Sequence, residues 1–254
     1  MDLGLHGLNA IVTGSTRGIG RAIADTLADE GANVAICSRH ADDVAAAVTA
    51  LQAKGVRATG RALDVGDGPA LQEWVRDVAD ELDGIDIVVS NVSALALGVD
   101  EEAWRNEFQV DLMGAVRLVD AAMPSLERSE AACIVTISSV SGREIDFAAG
   151  AYGAVKVLAL VHYTQGLAYN LAGKGIRANT VSPGNTYFPG GVWNQIETGN
   201  PELFAAALGL NPTGRMGTPQ EMANAVTFIA SPRASFITGA NLVVDGALTK
   251  GVQL

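Results

Sequence analysis

The chain has 254 residues, 48% of them hydrophobic, and sets 17 basic against 28 acidic side chains for a formal charge of −11. That length supports a full α/β core, and that charge repels phosphate backbones and anionic bilayers, which argues against nucleic-acid and membrane partners. No apolar run approaches the roughly 20 residues of a bilayer span, and the opening MDLGLHGLNAIVTG lacks the basic end and cleavable apolar stretch of an export signal, so a cytoplasmic protein is expected.

In chain order, residues 9–13 (NAIVT) form the first predicted strand, and 18–30 a helix with Ile19, Ile23 and Leu27 at four-residue spacing. A second strand spans 33–38, followed by a helix over 42–54 that opens on two acids and stops at Gly55. The strand at 57–63 leads to a helix over 69–82 with Pro69 at a tolerated first-turn position. After the strand at 85–90 comes a long helix over 101–126, which Pro124 should end or kink. Strand 132–138 precedes a helix over 151–172, and strand 176–181 precedes an irregular stretch with a short helix at 201–209. Thr218 caps a last helix, 219–230, with Glu221 placed for a capping box, and 241–244 is the final strand.

Short Val- and Ile-rich strands alternating with amphipathic helices predict one α/β domain over 1–254: a doubly wound parallel sheet of about seven strands, helices on both faces. The stretch at 185–217 is long for a connection in such a domain and follows the sixth strand, so it is expected to be a substrate loop or lid. Cys37 and Cys133 fall on strands that two others should separate, about 14 Å apart, beyond the reach of a disulfide; both are expected as free thiols. His6, His40 and His162 have no metal-ligand spacing, and no metal is expected.

Directly after the first strand comes T-G-S-T-R-G-I-G, residues 13–20. Gly14, Gly18 and Gly20 permit positive φ and close approach of a ligand to the backbone. The next helix aims its free N–H groups and dipole at that point, where a pyrophosphate fits. Thr16, Arg17 and Ile19 share the turn and join the candidate contacts. At the end of the second strand stand Ser38 and Arg39, where an acidic residue would bind the 2′-hydroxyl of NAD. A serine and a guanidinium suit a 2′-phosphate instead, so NADP(H) is favoured over NAD(H), with Arg17 as a second cation.

A second constellation is Ser139, Tyr152 and Lys156. Tyr152 and Lys156 stand at i and i+4 on a predicted helix and share a face, and Ser139 ends the fifth strand at the same sheet edge as the glycine turn. A free phenol titrates near ~10, so only ~0.1% is ionised at neutral pH. A nearby ammonium and the positive nicotinamide ring should both make it more acidic and bring it into the range of an acid/base catalyst, while Ser139 stabilises charge on a substrate oxygen.

These motifs together resemble the short-chain dehydrogenase/reductase family, from about Leu8 to Gly246. The closing run GRMGTPQEMANAVTFIASPRASFITGANLVVDG is similar to the 3-oxoacyl-carrier-protein reductase type. The resemblance implies a Rossmann-type fold and hydride transfer between NADP(H) and a ketone or secondary alcohol, with Tyr152 as acid/base. It implies that Asp64 and Val65 line the adenine site, that Asn91, Pro183 and Gly184 border the cofactor, and that Lys156 also holds the nicotinamide ribose. It implies a homotetramer packed through the fourth and fifth long helices; the apolar face of Ala154, Leu158 and Val161 suits that packing and an internal core equally well.

Three positions depart from the family pattern. Ser90-Asn91-Val92-Ser93 stands where N-N-A-G is usual, keeping Asn91 alone. Asp111 occupies the place of an asparagine that anchors a relay water, and is the fourth candidate catalytic residue. Phe188 stands where a threonine is usual, so carboxamide contacts pass to Thr186 or to backbone groups. Arg143, Phe147, Tyr187, Phe188 and Trp193 are expected around a substrate pocket of mixed aromatic character, open to acyl thioesters, cyclic ketones or hydroxylated aromatics. Two alternatives stay open: an NAD-dependent dehydrogenase of a sugar or secondary alcohol, and a non-catalytic NADP(H)-sensing protein.

Overall fold

The computed structural model describes residues 2–146, 148 and 150–251. Seven strands make one parallel sheet: β1 (Asn9–Thr13), β2 (Asn33–Ser38), β3 (Ala58–Ala62), β4 (Ile87–Ser90), β5 (Cys133–Ile137), β6 (Arg177–Pro183) and β7 (Asn241–Val244). Their order is β3-β2-β1-β4-β5-β6-β7. The chain leaves β1 toward β2, returns past it to β4, and so creates a topological switch point between β1 and β4, the place where open α/β sheets hold ligands.

The inner strands are buried on both faces, which is why they read as unbroken apolar runs. Alternate side chains serve opposite layers. Ala10, Val12, Val34 and Ile36 join a core under α1 (Gly18–Asp29), α2 (Ala41–Gln52) and α9 (Pro219–Ala230). Ile11, Ala35 and Cys37 join the opposite core, with Leu71 and Trp74 of α3 (Gly68–Leu82), Leu118 and Leu126 of α5 (Met113–Leu126), and Ala168 and Leu171 of α6 (Leu160–Leu171). The edge strands β3 and β7 are only partly covered. Cys37 and Cys133 are buried free thiols on β2 and β5, with β1 and β4 between them.

Two predicted helices are interrupted. The one over 101–126 consists of α4 (Glu101–Glu107), a π-helical stretch Phe108–Leu112, and α5, which continues past Pro124 to Leu126. The one over 151–172 begins as a π-helical stretch, Tyr152–Ala159, before α6. These stretches pack on each other, and they carry Asp111, Tyr152 and Lys156; π-helical distortions of this kind are frequent at functional sites. Between β6 and α9 lie α7 (Val192–Gly199) and α8 (Pro201–Gly209), joined by a small core of Trp193, Ala207 and Met216. The capping box at Thr218 and Glu221 forms as its sequence predicts. Among the described residues no helix is long and apolar enough to cross a membrane.

Candidate active site

The glycine turn sits at the switch point and is sewn to the end of β4. Asn91 donates its side-chain N–H groups to the carbonyls of Thr13 (3.0 Å) and Gly14 (3.1 Å), and its backbone N–H donates to the Thr13 hydroxyl at 3.0 Å. A Cβ on Gly20 would collide with the Gly14 carbonyl and the Asn91 amide, and one on Gly14 would stand 2.9 Å from Val92. These two glycines therefore serve the chain's own packing. Gly18 is different: at φ +57 its open side faces the Phe188 ring, 2.5 Å from where a Cβ would be.

α1 begins with no side-chain cap and no acid in its first turn, whereas α3, α4 and α9 are capped by Asp67, Asp100 and Thr218. Its first N–H groups are left for a ligand, as an anion site requires. The turn opens into a cleft of about 490 Å³. Every predicted cofactor contact borders this cleft: Gly14, Thr16, Arg17, Gly18, Ile19 and Gly20 of the turn; Ser38, Arg39, Asp64 and Val65 beside it; Asn91, Pro183, Gly184 and Thr186 across it; and Tyr152 with Lys156 in the wall. Arg17 and Arg39 are exposed, and among the described residues no hydrogen bond or ion pair holds either guanidinium. Asp64 accepts from the Gly66 N–H through Oδ1 at 2.8 Å, leaving Oδ2, and Thr186 donates to the Gly184 carbonyl at 3.0 Å. A long slot with uncapped helix N–H groups at its middle and unpaired cations at one side fits a phosphorylated dinucleotide.

Ser139 follows β5, where its hydroxyl accepts the Ser141 N–H at 3.2 Å and reaches the Ser141 hydroxyl. The Tyr152 phenol stands beside it, and the Ser139 hydroxyl lowers the phenol's pKa against the larger effect of burial. Lys156 is only 2% exposed. Its ammonium donates to the Val92 carbonyl at 2.8 Å and lies 3.0 Å from Asp111 Oδ1. Asp111 does not line the cleft; it is buried behind Lys156, with Oδ2 accepting the Ala94 N–H at 2.8 Å.

The ammonium and the nicotinamide ring are together expected to make the phenol more acidic; in the protein alone, burial pushes Tyr152 up to about 12. The Ser139 hydroxyl opposes that shift, and the charges of Asp111, Glu107 and Asp146 add to it. Lys156 is directed at Asp111 and Val92 instead. Without a bound partner, Tyr152 is a firmly protonated phenol.

Around the cleft, Phe188 and Trp193 stand where expected. Arg143 and Tyr187 do not border it. Tyr187 turns into the α7–α8 layer, donating to Glu197 at 2.5 Å and meeting Phe204 edge-on at 6.0 Å. Phe147 lies outside the described residues. Sequence reasoning missed Glu107, which is fully buried beside Asp111. Its only advance signal is the i, i+4 spacing of two acids in a segment that must bury one face.

A family model described as Enoyl-(Acyl carrier protein) reductase matches residues 14–249. The chain is 39% identical over 259 aligned positions to isoepoxydon dehydrogenase patN of Penicillium expansum, covering 100% of this chain and 99% of the relative. It is 33% identical to the 3-oxoacyl-[acyl-carrier-protein] reductase FabG of Vibrio harveyi, covering 97% and 99%. The structure of L-sorbose reductase from Gluconobacter frateurii, complexed with NADPH and L-sorbose, superposes with a TM-score of 0.89 at 28% identity, over 99% of this chain and 100% of that one. A short-chain dehydrogenase from Burkholderia cenocepacia in complex with NADP gives 0.85 at 31% identity, over 96% and 99%. The seven-stranded order, the glycine turn at its switch point and these matches along the whole length agree: the chain belongs to the short-chain dehydrogenase/reductase family of oxidoreductases.

Proposed function

We propose that the protein interconverts a ketone and a secondary alcohol with NADP(H), using Tyr152 as the acid/base. The observation that carries this reading is that Ser139, Tyr152 and Lys156 share the wall of one cleft with the uncapped α1 terminus, Arg17 and Arg39. When bound, NADP(H) supplies the hydride chemistry. Gly14, Thr16, Gly18, Ile19 and Gly20 would hold its pyrophosphate and Arg17, Arg39 and Ser38 its 2′-phosphate. Asp64, Val65 and Asn91 would border the adenine side, and Pro183, Gly184 and Thr186 the nicotinamide side.

The chain's own part is to position a carbonyl oxygen and move one proton. Ser139 donates a hydrogen bond to that oxygen and steadies the charge developing there. Tyr152, fully protonated at neutral pH, gives its proton to the same oxygen in the reducing direction. Lys156 ties the Val92 backbone to the π-helical stretch that carries Tyr152, fixing the phenol against the cleft. Phe188 and Trp193 cover the mouth, and residues 185–217 act as the lid that excludes water. The apolar wall of Leu95, Leu97, Val140, Val192 and Trp193 suits an uncharged ring or carbon chain.

The cofactor assignment is tested by titrating both dinucleotides. Arg39→Ala is expected to weaken NADPH about 10- to 100-fold, the loss of a charge-assisted contact, and to leave NADH nearly unchanged. Equal losses for both would count against the phosphate site. The NADPH and NADP complexes of the solved relatives support this choice over NAD(H). We also propose a homotetramer, supported by Leu158 at 62% and Tyr169 at 84% exposure along the Tyr152–α6 helix. Light scattering is expected to give four times the chain mass; a strict monomer contradicts it.

A further inference from the structure

Beside the cleft lies an incompletely balanced buried charge cluster. Glu107 ends α4, is fully buried, and accepts the Ala96 N–H through Oε1 at 2.7 Å. Its Oε2 and Asp111 Oδ1 are both enclosed; Oε2 has no hydrogen-bond donor, and Oδ1 has only the Lys156 ammonium, 3.0 Å away and outside hydrogen-bond geometry. Yet the two carboxyl groups adjoin, and Asp111 pushes the Glu107 carboxyl up both as a hydrogen-bond partner and as a charge. Two carboxylates cannot bond each other, because each only accepts. Ionised together, they would set two negative charges against one ammonium away from water, which is strongly unfavourable.

We propose that Glu107 is a positioning residue that stays protonated, donates that proton to Asp111 as a hydrogen bond, and so reserves the Asp111 carboxylate for Lys156. With one proton the group of Glu107, Asp111 and Lys156 is electrically neutral, and Glu107 Oε2 gains the partner it lacks. The charge placement follows from burial and from Asp111, which together raise Glu107 to about 8, with the Ala96 N–H and Lys156 opposing. The groups facing it are Asp111 on its own helix and, from the Tyr152 helix, Lys156 and Tyr152. Arg105 of α4 is paired with exposed Glu101 on the outer side. When the proton leaves, the second carboxylate competes for Lys156 and loosens the bridge to Val92. This proposal rests on the oxidoreductase reading for its kinetic effect, but its protonation claim stands apart from turnover.

The test uses the full-length protein with Glu107→Gln, which keeps an acceptor for Ala96 and a donor for Asp111, and Glu107→Ala, which removes the donor. Three readouts bear on the proposal. The wild type should show the infrared band of a protonated carboxyl group at pH 7, and Glu107→Gln should not. The sign of the pH effect follows from a raised folded value: the group stabilises fully below its unfolded value near 4.5, and that stability is lost as pH rises toward about 8. Melting of Glu107→Gln should therefore rise above wild type by a margin that grows from pH 5 to pH 8, reaching at least about 4 °C. In turnover, wild-type kcat should fall about tenfold per pH unit above about 8, as expected for one essential proton. Glu107→Gln should stay near its plateau, and Glu107→Ala should drop about tenfold at neutral pH and be rescued by glutamine. No carboxyl band in the wild type, or a Glu107→Gln variant with the wild-type pH dependence of melting and rate, overturns the proposal. If no ketone is turned over at all, the oxidoreductase reading fails, while the infrared and melting results still decide the shared proton.

Discussion

Tyr152→Phe is expected to lower kcat for ketone reduction about 100- to 10,000-fold, the range that a positioned general acid contributes. The substitution deletes one oxygen and leaves the ring packing, so the fold should hold. Ser139 keeps its bonds to Ser141 at 3.2 Å, and NADPH affinity should change less than about threefold, because the contacts assigned to the phosphates lie on the other side of the cleft. The pH dependence carries a second expectation. With the phenol pushed up to about 12, Tyr152 remains protonated across the neutral range, so the tyrosine itself should impose no pH limit on the reducing rate below that point. The reverse reaction needs the phenolate and should quicken as pH rises toward about 8, above which loss of the Glu107 proton opposes the gain. Turnover of a panel of ketones, followed by NADPH absorbance in both proteins, checks this. A variant that retains wild-type kcat would remove Tyr152 from the chemistry. A protein that binds NADPH and consumes none with any ketone would favour a sensing role instead.

What could be read from the sequence, and what could not, follows from the range of the forces involved. β1, β2 and β7 were delimited to the residue because their apolar runs and flanking turns are local. The glycine turn was legible because a strand, three glycines and a helix in that order admit few other uses. Its inner cause was hidden: Gly14 and Gly20 are tight because Asn91 and Val92, far along the chain, press on them. The π-helical stretches at Phe108–Leu112 and Tyr152–Ala159 were read as plain helix. Their 3.6-residue periodicity looks ordinary in sequence, since the widened turn is imposed by one stretch packing on the other. The buried partner of Lys156 was hidden for a similar reason. A lysine four residues after a tyrosine suggests that each acts on the other, but the ammonium's strongest neighbour, Asp111, comes from a different helix. Tyr187 looked like a pocket wall until α7 and α8 supplied Glu197 and Phe204 as partners.

Lys156→Met should destabilise the protein by about 3–5 kcal/mol, the usual effect of removing one member of a buried ion pair. For a chain of this size that is a fall in melting temperature on the order of 10 °C. Methionine fills much the same volume, so the loss reports charge and not a cavity. The side chains of the pair are 3% and 0% exposed, so solvent cannot screen what is left behind. Removing the ammonium strands Asp111, and the Val92 carbonyl loses its donor as well. If that account is right, neutralising the stranded partner should restore stability. Lys156→Met combined with Asp111→Asn should recover more than half of the loss, because the amide is close in shape to the carboxylate and carries no charge. The two changes are therefore strongly non-additive, which a double-mutant cycle in urea unfolding measures directly. Additive losses would mean that the two residues are held by separate contacts, and that the Asp111–Lys156 distance has no energetic weight. Activity should not return with stability, since the double variant regains a settled core but not the cation that anchors the Tyr152 helix to Val92. Recovery of the fold without recovery of turnover would separate the two duties of Lys156: balancing a buried carboxylate, and holding the phenol where a carbonyl oxygen can meet it.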